Sequence, residues 1–310
     1  MTSWIESLVA APTDAVPCET VAQWWPRHRA RMTAPAATMP LAIAGGFAAD
    51  RVGWAFASAY QAALRALVPD LPHDRLAALC VTEAEGNSPG AIRSELRRVD
   101  DATFRLDGAK RWTTLGPDGA LFLVAAREGV AEDGRPRLRV ALVRTDTPGI
   151  HVEPMPPTKF VPEVPHAQLR FENVRVPATA LLPGDGYEGY VKRFRTVEDT
   201  HVTAGIVAYL VREGRRFGWP HAWIERAIGA LVALEAIAAM PPLASGTHLA
   251  LAGVLSTIDG LVAESEPLWD AAPDDTARAR WRRDRALLDI AAGTRRQRTV
   301  RAWERLGVRL

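Results

Sequence analysis

The sequence predicts an α+β multidomain protein in which an N-terminal helical domain, a middle β domain and a C-terminal helical bundle follow one another along 310 residues. The spacing of the apolar residues is helical at first, falls to two from about residue 78, and is helical again from residue 184. We therefore place the three domains at 1–78, 79–183 and 184–310. A chain of this length buries enough surface to fold without disulfides or metals.

Composition excludes several classes of protein. The chain is 48% apolar and carries a formal net charge of +2, which argues against collagen, disorder and bulk-charge binding of nucleic acid. Its two cysteines are too few for a disulfide framework, and its seven histidines show no metal-binding spacing. We expect no metal, no signal peptide, no membrane span and a cytoplasmic location.

In the N-terminal domain, the apolar residues from Ala49 to Leu67 recur on one helix face, which predicts a helix. The preceding stretch contains Pro35, Pro40, Gly45 and Gly46, and we expect it to be a loop.

The middle domain is predicted to contain several short strands arranged as a barrel or a sandwich. Asp107-Gly108 separates two alternating runs, 103–106 and 109–114, which is the strongest short-range signal of a β-hairpin. Further strands are expected at 121–126, 138–144 and 168–172.

The C-terminal domain is predicted to consist of helices over 195–216, 220–240, 247–264 and 276–306. Residues 276–310 contain eleven arginines. Such a segment either binds a polyanion or forms a solvated or subunit-contact face, and the sequence leaves both open.

Three segments resemble the acyl-CoA dehydrogenase family, and they occur in the family's order. They are C-V-T-E-A-E-G-N-S at 80–88, L-D-G-A-K-R-W-T-T at 106–114, and D-T-P-G-I at 146–150 with F-E-N-V-R-V-P at 171–177 and L-L-P-G-D-G at 181–186. The resemblance covers about residues 78–218 and, more weakly, the rest of the chain.

This resemblance implies the family's fold and an FAD cofactor bound between the β domain and the bundle. It implies an oxidoreductase that removes the α and β hydrogens of an acyl thioester, either an acyl-CoA or a carrier-bound one. The electron acceptor would be a flavoprotein or oxygen. The resemblance also implies a homodimer or homotetramer. Because the N-terminal domain is shorter than usual for the family, we expect an open substrate pocket.

By the same resemblance, Val81, Thr82 and Ser88 would contact FAD from the first segment, and Trp112 and Thr114 from the second. Without a flavin, these residues would belong to an ordinary sheet, where a tryptophan fills the core and threonines favour strands.

The catalytic base implied by the resemblance is Glu198, on the first long helix of the bundle. A carboxylate can take the α proton if burial raises its pKa toward neutrality. The alternative is a solvated carboxylate in the first turn of a helix capped near Thr196. His201, three residues further on, lines the pocket or packs.

Arg215, Arg216 and Phe217 match the segment that carries a subunit-crossing FAD contact in the family. Their alternative role is that of a solvated helix end, where cations suit the helix dipole.

Two other functions stay open. One is a flavin-dependent monooxygenase on the same fold, which dispenses with the carboxylate base. The other is a flavin-free scaffold or partner subunit that kept the fold and lost the chemistry.

Overall fold

The computed structural model of the protein describes residues 4–32, 37–130 and 134–308, which divide into two compact units. The helical unit comprises Met1–Ala66, Thr158–Glu163 and Thr196–Leu310, and the β unit comprises Leu67–Pro157 and Val164–Arg195. Helices before and after a sheet confirm the predicted α+β organisation. The predicted domain borders near 78 and 183 stay predictions.

The described residues contain helices whose bounds follow the apolar spacing. They are α1 (Trp4–Ala10), α2 (Val21–Arg29), α3 (Thr38–Phe47), α4 (Val52–Leu67), α5 (Lys192–Arg216), α6 (His221–Ala238), α7 (Ser245–Asp270), α8 (Asp275–Asp284) and α9 (Ala292–Arg305). A single π-helical turn, Tyr187–Val191, precedes α5.

Helix α3 corrects the prediction of a loop before Ala49. A Cβ atom added at Gly46 would lie 2.1 Å from the carbonyl oxygen of Gly205, and one at Gly45 would lie 2.6 Å from the Cβ of Ser58 on α4. The two glycines therefore allow close helix packing instead of breaking the helix. Pro40 is the third residue of α3, in the first turn, where a missing N–H breaks no helix hydrogen bond. Pro35 lies outside the described residues.

The β unit contains one seven-stranded sheet. Its strands are β1 (Ala77–Cys80), β2 (Glu95–Arg98), β3 (Thr103–Thr114), β4 (Leu121–Val130), β5 (Pro136–Arg144), β6 (Ile150–Pro154) and β7 (His166–Pro177). Their order is β1-β4-β2-β3-β7-β6, with β5 paired to β4. Buried side chains such as Phe104, Phe122 and Phe171 form the core on one face. The strands predicted at 121–126, 138–144 and 168–172 are confirmed within β4, β5 and β7.

The predicted hairpin at Asp107-Gly108 is wrong, because residues 103–114 form the continuous strand β3. The register between β3 and β7 shifts between Leu106 and Gly108, which marks a β-bulge. Gly108 has φ +138°, and a Cβ atom there would lie 2.4 Å from the Ser94 hydroxyl oxygen. Gly108 thus permits a close backbone approach within a strand. A tight turn would require glycine at the same position, so the sequence alone does not distinguish the two.

The single helix predicted over 276–306 is also wrong, since α8 ends at Asp284 and α9 begins at Ala292. The fully buried Asp284 carboxylate accepts a hydrogen bond from the backbone N–H of Val161, 2.7 Å away. This long-range contact, and the stacking of Trp281 on Trp269 at 5.6 Å, fix the end of α8. Neither contact has a local sequence signal.

Carboxylates neutralise much of the arginine-rich C-terminal segment. Seven of its eleven arginines form ion pairs with Asp or Glu: Arg278, Arg280, Arg282, Arg283, Arg285, Arg295 and Arg298. This pairing favours the interpretation as a structural face over a polyanion site.

Among the described residues, α7 is the one helix that is long and apolar enough to cross a membrane by length and composition. Helices of soluble proteins pass the same test, so the expected absence of a membrane span stays a prediction.

Candidate functional site

The end of β3 exposes an aromatic side chain through a strained backbone. Trp112 has φ +56°, lies where the register with β7 shifts between Lys110 and Thr113, and is 50% exposed. A positive φ costs a bulky residue of order 1–3 kcal/mol, so the surrounding strands must hold it in place. The indole therefore faces outward from a rigid sheet, an arrangement typical of functional sites.

His166, at the start of β7, joins Trp112 and Thr114 in one cluster. Its ring packs edge-on against the Trp112 ring at 6.0 Å and 71°, and its Nε2 lies 3.4 Å from the Thr114 hydroxyl oxygen. Burial lowers the pKa of His166, so the imidazole is neutral at pH 7. The sequence did not predict His166, because only the long-range pairing of Thr114 with His166 brings it there.

Val81 and Thr82 follow β1 and are held against β3. The carbonyl of Thr82 accepts a hydrogen bond from the backbone N–H of Arg111 at 2.8 Å, and that of Val81 accepts from Lys110 Nζ at 3.3 Å. Both residues are partly buried, with main-chain positions that the neighbouring strand fixes.

A buried ion pair, which the sequence did not predict as part of the site, anchors this segment. Lys110 Nζ lies 2.6 Å from Glu83 Oε1, and Lys110 is fully buried. The Glu83 carboxylate also accepts hydrogen bonds from the backbone N–H groups of Arg93 and Ser94, at 2.7 and 3.0 Å. Burial alone would raise the pKa of Glu83, but the Lys110 ammonium and these amides hold it below its ordinary value.

Ser88 lies beyond a tight turn closed by the bridge between Glu83 and Gly86. Its side chain is exposed, and the adjacent Asn87 accepts a hydrogen bond from Arg195 at 3.2 Å. The structure therefore places Ser88 on an accessible loop of the β unit.

Glu198 lies in the second turn of α5, which begins at Lys192, and not in a first turn capped near Thr196. Its side chain is half-buried, and no hydrogen bond to its carboxylate is found among residues 4–32, 37–130 and 134–308. Burial, reinforced by the neighbouring Asp199 carboxylate and opposed by Arg295, raises the pKa of Glu198 to about 8.

Asp199 and His201, on the same helix, are both engaged. Arg295 Nε and Arg298, from α9, donate to the Asp199 carboxylate at 3.0 and 2.6 Å. His201 is buried, with Nδ1 2.8 Å from the carbonyl oxygen of Val197 and Nε2 3.0 Å from the Thr38 hydroxyl. His201 thus packs between α5 and α3, and Glu198 is the carboxylate of this turn without such partners.

Arg215, Arg216 and Phe217 have partners within the helical unit. Arg215 donates to the carbonyls of Leu8 and Ala11, both at 2.9 Å, and so caps the end of α1. Arg216 pairs with Asp274 at 2.8 Å, and Phe217 packs edge-on against Trp269 at 5.8 Å. Their predicted contact with FAD stays a prediction.

Among the described residues, no group of three or more His, Cys, Asp or Glu side chains is arranged to hold a metal ion.

Comparisons with known proteins point to one family. Residues 78–174 match the family model described as acyl-CoA dehydrogenase, middle domain. Benzylmalonyl-CoA dehydrogenase of Aromatoleum aromaticum is 31% identical over 157 residues, which is 49% of this chain and 40% of that relative. A probable acyl-CoA dehydrogenase of Mycobacterium tuberculosis, FadE10, is 30% identical over 124 residues, 39% of this chain and 19% of that protein. The matches thus span less than half of these curated relatives.

Solved structures share the fold over most of the chain. TdsC from Paenibacillus sp. A11-2, solved with FMN bound, aligns with a TM-score of 0.70 at 15% identity, over 92% of this chain and 90% of that one. A glutaryl-CoA dehydrogenase from Mycobacterium smegmatis, in complex with FADH2, aligns with a TM-score of 0.61 at 18% identity, over 87% of this chain and 78% of that one.

Proposed function

We propose that the chain is a member of the acyl-CoA dehydrogenase family and, within it, an FAD-dependent oxidoreductase that removes the α and β hydrogens of an acyl thioester. The observation that carries the proposal is the state of Glu198. This carboxylate is half-buried and unpaired among the described residues, and its pKa is raised to about 8. A general base works best when its pKa lies near the working pH.

The residues of the β unit fit a flavin. Trp112 offers an exposed flat apolar surface, and the Thr114 hydroxyl supplies a hydrogen-bonding group beside it. Val81, Thr82 and Ser88 would hold the ring edge and the pyrophosphate from the loop that the Glu83–Lys110 pair fixes. Bound flavin supplies the acceptor for the hydride that leaves the β carbon.

In this proposal Glu198 takes the α proton of the thioester onto a carboxylate oxygen. Ionised Glu198 is the active form, and burial holds back ionisation until the pH approaches about 8. Activity should therefore rise with pH through this range. The neutral His166, which touches both Trp112 and Thr114, would keep their side chains in one orientation.

The substrate is proposed as an acyl-CoA or a carrier-bound acyl thioester, and the electron acceptor as a flavoprotein or oxygen. A homodimer or homotetramer is proposed for the assembly. These points rest on the family and not on a contact in this chain.

A flavin-dependent monooxygenase is the second candidate. It is favoured by the protonation state that the same raised pKa implies, because at pH 7 only a small fraction of Glu198 is in the ionised form that a base requires. An oxygen-using reaction that needs no base would tolerate this state.

The test starts with the visible absorption spectrum of the purified protein before and after addition of FAD. A flavin spectrum is expected, followed by anaerobic bleaching with an acyl-CoA substrate. Glu198→Gln should retain the flavin but bleach about 100-fold more slowly or worse. Glu225→Gln, an exposed change on α6, serves as the matched control and should behave like the parent.

Other outcomes separate the alternatives. Oxygen-dependent turnover that survives Glu198→Gln supports the monooxygenase. A folded protein that never binds FAD rejects both enzyme proposals and supports the scaffold.

A further inference from the structure

A cavity of about 620 Å³ lies in the helical unit among α1, α2, α3 and α4, with Arg212 of α5 in its wall. Glu198 does not line it. Glu198 and Arg212 are 14 positions apart on α5, which corresponds to about 21 Å along a helix. We propose that this cavity, called here the tryptophan cavity, is a second binding site, for an amphipathic anion with a compact apolar body and one carboxylate.

The floor of the tryptophan cavity is fixed before any ligand arrives. Trp54 Nε1 donates to the carbonyl of Cys18 at 2.7 Å, and Trp24 Nε1 donates to the Ser58 hydroxyl at 3.1 Å. The two indoles stack with ring centroids 5.4 Å apart and an interplanar angle of 12°. Because both N–H groups are satisfied, the walls offer a ligand apolar surface, to which Ile43 and Phe47 add.

The size and the lining match those of small-molecule sites. Such sites typically have volumes of about 300–1,000 Å³, mostly apolar walls and a few polar groups that fix orientation. Both indoles are almost fully buried and Trp24 also stacks on the His28 ring at 5.1 Å, so the lining favours a compact apolar body by burying its surface, at about 25 cal/mol per Å².

Two arginines at the rim supply the charge preference. Arg27 and Arg31 line the cavity one helical turn apart, and neither forms an ion pair with a carboxylate among the described residues. Arg31 donates to the carbonyl of Arg27 at 2.7 Å, so the cations are held together. Burial and the Arg27 charge lower the pKa of Arg31, and a bound anion would relieve this repulsion.

The other charged groups of the lining do not cancel this preference. Asp50 is bonded to Arg51 at 2.7 Å, and the buried Arg212 is paired with Glu213. Asp14 is exposed at the rim and offsets one arginine. The α2 C-terminus explains why cations are favoured there. Arg27 Nη1 donates to the carbonyls of Val16 and Pro17 and to Cys18 Sγ at 3.3–3.5 Å, whereas no hydrogen bond from its Nε or Nη2 is found within the described part of the chain.

The test compares 2-naphthoate with its uncharged amide, 2-naphthamide, by isothermal titration calorimetry and quenching of tryptophan fluorescence. The parent should bind the naphthoate at least about 10-fold more tightly, which corresponds to about 1.4 kcal/mol. The double variant Arg27→Gln/Arg31→Gln should lose this preference. Arg29→Gln, an exposed change on the same helix outside the lining, should keep it.

A second variant tests the location. Ala44 lines the cavity and is exposed on α3, so Ala44→Phe should fill the space without disturbing the core. It should abolish binding of both compounds while thermal unfolding stays at the parental temperature. Equal affinity for the two compounds, no binding at millimolar concentration, or unchanged binding in Ala44→Phe would overturn the proposal. None of these readouts depends on a flavin or on turnover.

Discussion

Two buried or half-buried carboxylates, one in each unit, show how partners decide the character of the same chemical group. Glu83, in the β unit, has an ammonium at 2.6 Å and two backbone amides, and its pKa is held low. Glu198, in the helical unit, has no such partners among the described residues, and burial raises its pKa to about 8. The first carboxylate stabilises a loop, whereas the second resists ionisation near neutral pH.

The largest expected effect comes from Lys110→Met, which leaves the Glu83 carboxylate buried with two backbone amides but without its cationic partner. Breaking a buried ion pair by removing one partner costs about 3–5 kcal/mol. We expect the free energy of unfolding, measured in urea at pH 7, to fall by this amount. Lys159→Met, an exposed change, should leave it within about 0.5 kcal/mol. A small loss in Lys110→Met would mean that the pair does not anchor the loop.

The next prediction concerns Glu198→Gln and the pH dependence of stability. A carboxyl group with a raised folded-state pKa destabilises the protein progressively between its ordinary value of 4.5 and about 8, where the folded state resists ionisation. Glu198→Gln should therefore gain stability over the parent as the pH rises through this window, by a few kcal/mol at most. Parallel stability curves from pH 4 to 9 would contradict the raised pKa.

The contribution of Glu83 to the free energy of unfolding should depend on pH in the opposite sense to that of Glu198, because the pKa of Glu83 is lowered. The parental pair stabilises the fold above pH 4.5 and loses this contribution as the pH falls through the lowered folded-state pKa. In Lys110→Met the buried carboxyl protonates readily, so the stability gap between the two proteins should shrink below pH 4.5. Urea titrations at pH 3, 5 and 7 measure the gap, and a constant gap would show that Glu83 is not the responsible group.

The smallest expected change in stability belongs to Trp112→Leu. The indole is half-exposed, so the free energy of unfolding should change by no more than about 1 kcal/mol. FAD affinity should nevertheless fall about 10-fold, since an aromatic stacking contact is worth about 0.5–1.5 kcal/mol. Titration of the apoprotein with FAD measures this effect, with Trp25→Leu on α2 as the control. Unchanged affinity would remove Trp112 from the flavin site.

Sequence reasoning succeeded for the strands at 121–126, 138–144 and 168–172, because the spacing of apolar residues is a local signal. The family resemblance singled out Trp112 and Thr114, and the structure brings both together with His166. His166 itself escaped prediction, because strand register is a long-range property that no local pattern encodes. Glu198 was implied by the family resemblance, counted back from Ala204-Gly205, and its role stays a prediction. The pairing of the neighbouring Asp199 with Arg295 and Arg298 from α9 could not be predicted, because it joins residues about 100 positions apart.

Glycine misled the prediction twice for one physical reason. Turns and close backbone approaches both favour a residue without a Cβ atom. The sequence analysis therefore predicted a loop at Gly46 and a hairpin at Gly108. The structure uses Gly46 for helix packing and Gly108 for a bulge. The sequence left the role of the C-terminal arginines open, because counting them does not show which ones pair with carboxylates that are distant in the sequence.

The crossing of α3, α4 and α5 has a mechanical consequence. Gly46 leaves no room for a Cβ against the Gly205 carbonyl, and a Cβ at Gly205 would itself lie 2.8 Å from that of Ala59. Backbone meets backbone there, so a sliding movement of α5 along its axis would drive the Cβ of a neighbouring residue into α3. The close contact therefore fixes the position of α5 along its axis relative to α3. Glu198 lies seven residues from Gly205 on α5, so its carboxylate can move by a change of side-chain rotamer but not by a shift of the helix.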